Sequence, residues 1–72
     1  MNMLKEHIDQ ALNTAQITKR YGVKPGKAYH HQNSVEETYV FLEPIPGNES
    51  HGRFQNTRTK EVLKLAYSRI VK

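Results

Sequence analysis

The stretch Glu61-Val62-Leu63-Lys64-Leu65-Ala66-Tyr67-Ser68-Arg69-Ile70-Val71-Lys72 is the one on which the fold class turns. Val62, Leu63, Ala66, Tyr67 and Ile70 recur at helical spacing and make one apolar face. Thr57 or Thr59 stands ahead of it as an N-cap, and Arg69 and Lys72 fall in the last turn, where the helix dipole favours cations. The spacing predicts a C-terminal helix, with Tyr67 in the core rather than on a stacking platform.

Working outward, Thr38-Tyr39-Val40-Phe41-Leu42 is the strongest strand signal, aromatic and β-branched, closed by Pro44, Pro46 and Gly47. Weaker strands are expected on either side of it, at Ala28–His31 and Arg53–Gln55. Ser34-Val35-Glu36-Glu37 matches a capping box, but the residues after it are poor helix material, so the match is read as chance. The run from Glu43 to Ser50, with its prolines and Gly-Asn, is expected to be a solvent-facing loop. Nearer the start, Leu4, Ile8, Ala11, Leu12 and Ala15 predict an amphipathic helix over residues 3–14, with a second short helix from Ala15 to Tyr21. Gly22 supplies its stop and Pro25-Gly26 a turn. The expected fold is therefore α+β. One small domain spans residues 1–72, with an N-terminal helix or helix pair, a short antiparallel sheet, a C-terminal helix and loose ends.

A chain of 72 residues makes one domain and buries only about 60% of its unfolded surface. It has no cysteine, so neither disulfides nor thiolate-bound zinc can staple it. No apolar run reaches the roughly 18 residues of a membrane span, and the start lacks a signal-peptide pattern, so a soluble protein in a reducing cytoplasm is expected. The net charge is +4, but its distribution says more: +3 over residues 1–32, −4 over 33–52 and +5 over 53–72. Either the acidic middle pairs with the basic flanks within the domain, or the protein has two faces of opposite sign.

Candidate motifs divide into four. Ile17-Thr18-Lys19-Arg20-Tyr21-Gly22-Val23 places apolar residues around a glycine as a helix-turn-helix requires. That motif needs a second helix from Lys24 through His31, which Pro25-Gly26 opposes. His7, His30, His31 and His51 are the only soft metal ligands, and no pair has the i, i+4 spacing of a helical zinc site. Serine, threonine, histidine and carboxylates are present, but no spacing fixes a catalytic arrangement, and no phosphate-binding glycine loop occurs. The expectation is a protein without catalysis, cofactor, metal or small-molecule substrate. The basic C-terminal segment is the fourth, with Lys60 and Lys64 one turn apart, Arg53, Arg58, Arg69 and Lys72 nearby, and Phe54 and Tyr67 interleaved.

A basic, cysteine-free chain of this length and make-up resembles the small regulators that bacteriophages encode to bind host RNA polymerase, inhibiting initiation or causing antitermination. The resemblance is one of overall make-up and transfers no residue by position. It implies protein–protein contact with a polymerase subunit in the bacterial cytoplasm. The alternatives are a helix-turn-helix DNA-binding regulator using residues 17–31, and an antitoxin or nuclease inhibitor. From the charge pattern, the partner-binding residues are expected to be Arg20, Tyr21, Lys24 and Lys27 in the first basic block, and Arg58, Lys60 and Lys64 in the second.

Overall fold

A computed structural model describes residues 13–72. The amphipathic helix expected over residues 3–14, and His7 with it, lie outside the described residues except for Asn13 and Thr14. One α-helix, α1 (Thr14–Tyr21), is followed by five strands: β1 (Ala28–His31), β2 (Ser34–Pro44), β3 (His51–Asn56), β4 (Val62–Ala66) and β5 (Ile70–Val71). A single turn of 3-10 helix, Tyr67–Arg69, separates β4 from β5. Asn13 is extended and caps α1 reciprocally: its side chain accepts from the Gln16 amide while Gln16 Oε1 accepts from the Asn13 amide, both at 2.9 Å. No helix thus runs through residue 13 into α1.

The strands form one antiparallel sheet in the order β4-β3-β2-β1-β5. Five strands spaced about 4.8 Å apart would hold the outer two about 19 Å from each other in a flat sheet. Here the outer two, β4 and β5, are joined by only three residues of 3-10 helix, which rise about 2 Å each. The sheet must therefore curl until the C-terminal end of β4 lies close to the start of β5. The 3-10 turn is hydrogen-bonded to both sides of that closure, Tyr67 N donating to Ser50 O and Gln32 N donating to Arg69 O, each at 3.0 Å.

The α+β expectation is thereby corrected. Among the described residues there is one helix, not a pair, and the C-terminal helix does not exist: residues 62–66 are an edge strand. The helical face Val62, Leu63, Ala66, Tyr67, Ile70 omitted Leu65, and Leu65 belongs with Leu63 in an alternation that turns both toward the core. Thr59 caps no helix, its Oγ1 accepting instead from Glu61 N within the β3–β4 turn. The three strands read from the sequence exist, longer than expected at β2 and β3.

The interior is aromatic. Phe41 and Phe54, both fully buried, face each other across β2 and β3 with centroids 5.1 Å apart. Tyr67 stands edge-on to Phe41 at 5.8 Å and stacks on Tyr21 of α1 at 5.0 Å. Ile17, Val23, Tyr29, Tyr39 and Ile70 complete the core. Tyr67 is buried as the sequence suggested, but its hydroxyl has no hydrogen-bond partner among the described residues.

Burial, with the Tyr21 hydroxyl as a lesser cause, pushes the Tyr67 phenol up to about 12. Because the folded value lies above the unfolded one, its contribution to stability is intact below about pH 10 and disappears as pH rises through about 12. Phenolate absorbance is expected to show a late-titrating component that appears together with loss of the folded circular-dichroism signal. Tyr67→Phe should remove that component, and its persistence in the variant would contradict the assignment.

Candidate functional site

The first basic block is organised by the end of α1. Lys19 and Arg20 lie in its last turn, and Gly22 caps it in the left-handed conformation at φ 75°, its amide donating to Thr18 O at 2.8 Å. Thr18 Oγ1 donates to Val23 O, fixing the exit of the chain. Lys24-Pro25-Gly26-Lys27 then makes a turn, with Lys27 N donating to Lys24 O at 3.2 Å and Gly26 at φ 80°. Proline second and a positive-φ glycine third is the arrangement a type II turn demands. The turn is tied to the sheet, since Gly26 N donates to Phe41 O and Phe41 N donates to Lys27 O. Lys24 N donates to Tyr29 Oη at 2.7 Å.

Backbone bonds thus hold this segment while the Arg20, Lys24 and Lys27 side chains stay exposed. Lys72 joins them from the far end of the chain. Its Nζ donates to Tyr21 O at 2.6 Å, and its side chain lies over Gly22. The helix-dipole role expected of Lys72 at the end of a C-terminal helix falls with that helix; its ammonium lies instead at the C-terminus of α1, where the dipole favours a cation. No aspartate or glutamate occurs between Gln10 and Val35, and none of these cations is ion-paired among the described residues. The group is therefore Lys19, Arg20, Lys24, Lys27 and Lys72, of which sequence reading supplied three. Lys19 adjoins Arg20 and was within reach; Lys72 depended on a contact across 51 positions. Tyr21 is half-buried and stacked on Tyr67, so its ring also serves the fold.

The second expected set lies elsewhere, at the β3–β4 hairpin, and no hydrogen bond or ion pair joins it to the helix end. Arg58 is engaged by Glu37, its Nη2 donating to Oε2 at 2.8 Å and its Nε to Oε1 at 3.3 Å. Lys60 has φ 68°, a left-handed conformation that only a glycine adopts without cost. Lys64 is exposed on β4, directly across from Arg53. The acidic middle divides likewise, Glu37 pairing with Arg58 and Glu43 with Arg53, so part of the charge segregation is settled inside the domain.

The histidines are held by local contacts. His30 Nδ1 is 2.8 Å from Glu37 O, and His31 Nδ1 accepts from Asn33 N. His51 Nδ1 lies 2.7 Å from Ser50 Oγ, but the two are sequence neighbours, Ser50 Oγ also sits 3.0 Å from Asn48 Oδ1, and no carboxylate orients the ring among the described residues. Among those residues no three of His, Cys, Asp and Glu are grouped as metal ligands would be. Residues 24–31, which a helix-turn-helix would need as its reading helix, are a turn and a strand. No described helix is long and apolar enough to cross a membrane.

No family model, curated protein or solved structure matches the chain.

Proposed function

We propose that the protein is a non-enzymatic binding module that docks an acidic protein surface with the basic end of α1. On the resemblance in size and make-up to small phage regulators, the surface would belong to a host RNA polymerase subunit and the consequence would be altered initiation or termination. The supporting observation is the group Lys19, Arg20, Lys24, Lys27 and Lys72: exposed cations on a backbone held by helix cap, turn and sheet, with no neighbouring acid in the chain from Gln10 to Val35. A rigid frame lowers the ordering cost of docking, and a single-signed patch accelerates encounter. The DNA-binding alternative loses its main support, because the segment that would read the groove is not helical.

The test pairs capture from a bacterial lysate with titration of duplex DNA over a salt series. Capture of polymerase, lost in the Arg20→Glu/Lys24→Glu/Lys27→Glu variant by at least tenfold in affinity, is the expected result. Arg58→Glu should alter it little, because that guanidinium already serves Glu37. Tight DNA binding with a steep salt slope and no polymerase capture would overturn the proposal.

A further inference from the structure

Strand β4 is the edge of the sheet, and its register with β3 shows which of its backbone groups are free. Asn56 N donates to Glu61 O at one end of the β3–β4 ladder and Tyr67 N to Ser50 O at the other, and the intervening pairs run without a bulge from Gln55↔Val62 to His51↔Ala66. Antiparallel ladders alternate hydrogen-bonded and non-hydrogen-bonded pairs. Leu63 and Leu65 therefore bond to Phe54 and Gly52, while the N–H and C=O groups of Val62, Lys64 and Ala66 point away from the sheet. The Ala66 carbonyl is taken up by the 3-10 turn Tyr67–Arg69, and the outward groups of Val62 and Lys64 make no turn, loop or cap bond among the described residues. An edge of this kind is a template for another strand.

The side chains specify which strand. Across the outer surface, Glu43, Arg53 and Lys64 lie in one row on three successive strands. Arg53 is neutralised by Glu43 at 2.8 Å, whereas Lys64 faces Arg53, a like charge, with no acid paired to it among the described residues. Like charges directly opposite each other are destabilising, and an opposite charge in the next position of the row is favourable. The neighbouring row, Val40, Gln55, Val62, ends in a valine that is 49% exposed. A second copy of β4 in symmetric register would set Lys64 against Lys64, so self-pairing lacks the complement the row requires.

We infer that β4 accepts an extended, acidic segment of a partner protein by strand addition, with an Asp or Glu opposite Lys64 and, two residues away, a β-branched apolar residue opposite Val62. In antiparallel pairing the acid precedes the apolar residue in the partner. This surface is separate from the end of α1, and Arg20→Glu/Lys24→Glu/Lys27→Glu leaves it intact, so the two proposals fail independently.

The experiment uses the full chain and a short synthetic peptide carrying Glu and, two residues later, Val among threonines, followed by amide exchange and chemical shift. In the free protein the Val62, Lys64 and Ala66 amides should exchange rapidly while Leu63 and Leu65 are protected, and the peptide should protect all of them. N-methylation of alternate peptide amides should abolish binding. Lys64→Glu, at an exposed site, should weaken the Glu peptide at least tenfold and favour a Lys counterpart. Protection of the three edge amides in the free monomer, binding indifferent to N-methylation, or a dimer that protects the same amides would each overturn the inference.

Discussion

Gly52→Ala is expected to destabilise the protein by about 3 kcal/mol, near the upper end of what overpacking a core costs, and so to lower its Tm by roughly 12 °C or more. Gly52 lies in β3 between Pro44 of β2 and Leu65 of β4, and faces inward. A Cβ there would sit 2.6 Å from Tyr67 Oη and 2.8 Å from both Tyr67 Cε1 and Phe41 Cε1. These atoms belong to two aromatic side chains wedged in the core, and relieving the overlap means moving Phe41 off Phe54 or Tyr67 off Tyr21. The backbone at Gly52 is not in the left-handed region, so the cost arises from contact and not from φ. A second variant isolates that cause. Tyr67→Phe removes the nearest atom and a hydroxyl without a partner, so Gly52→Ala should cost measurably less in the Tyr67→Phe background than alone. Additive effects in thermal unfolding would show that contact with the hydroxyl is not responsible.

The same glycine marks what was legible in the sequence. A glycine inside His51-Gly52-Arg53-Phe54 signals a close approach within a strand, and reading the strand as starting at Arg53 passed over it. Local signals worked where one residue type dictates the backbone: Gly22 as helix stop, Pro25-Gly26 as turn, and the β-branched and aromatic run around Phe41. They failed where partners distant in sequence decide. Residues 62–70 hold apolar residues that fit both a helical face and a strand alternation, and β3 resolves the ambiguity by offering an edge to pair with. The bulge at Leu42 is equally tertiary. One extra residue in β2 leaves both Leu42 and Glu43 exposed, which is how Glu43 comes to lie beside Arg53. At the candidate site, Lys24 and Lys27 were visible because a turn between charged residues exposes them. The involvement of Arg58 with Glu37 and of Tyr21 with Tyr67 depended on the curled sheet.

Asn56→Ala is expected to cost about 2 kcal/mol, the range for stripping a buried hydrogen-bonding group of its partners. Asn56 is 5% exposed and is the only buried non-aromatic polar side chain among the described residues. Its Oδ1 accepts from Arg58 N at 2.8 Å and Thr59 N at 3.0 Å, shaping the turn in which Lys60 is held left-handed, and its Nδ2 donates to Glu37 Oε1 at 2.9 Å. One side chain thereby fixes the β3–β4 hairpin to the start of β2. The Arg58 guanidinium first, and the Asn56 amide second, hold the Glu37 carboxyl below the usual carboxylate range. A lowered folded value means that this contribution is present above the unfolded pKa and is lost as pH falls through the folded one. Asn56→Asp separates the two halves of the role. The aspartate still accepts from both turn amides but sets a second carboxylate against Glu37. At pH 7 it should be destabilised by repulsion; as pH falls through the carboxylate range, one proton shared by the pair restores the bond and narrows its deficit relative to the parent protein. Asn56→Ala has no such proton to gain, so its deficit narrows only as far as the parent loses the Glu37 contribution. Urea unfolding of the three proteins at pH 7 and pH 4 reads this directly, and an Asn56→Asp deficit that tracks Asn56→Ala at both values would show that the amide acts on the turn alone.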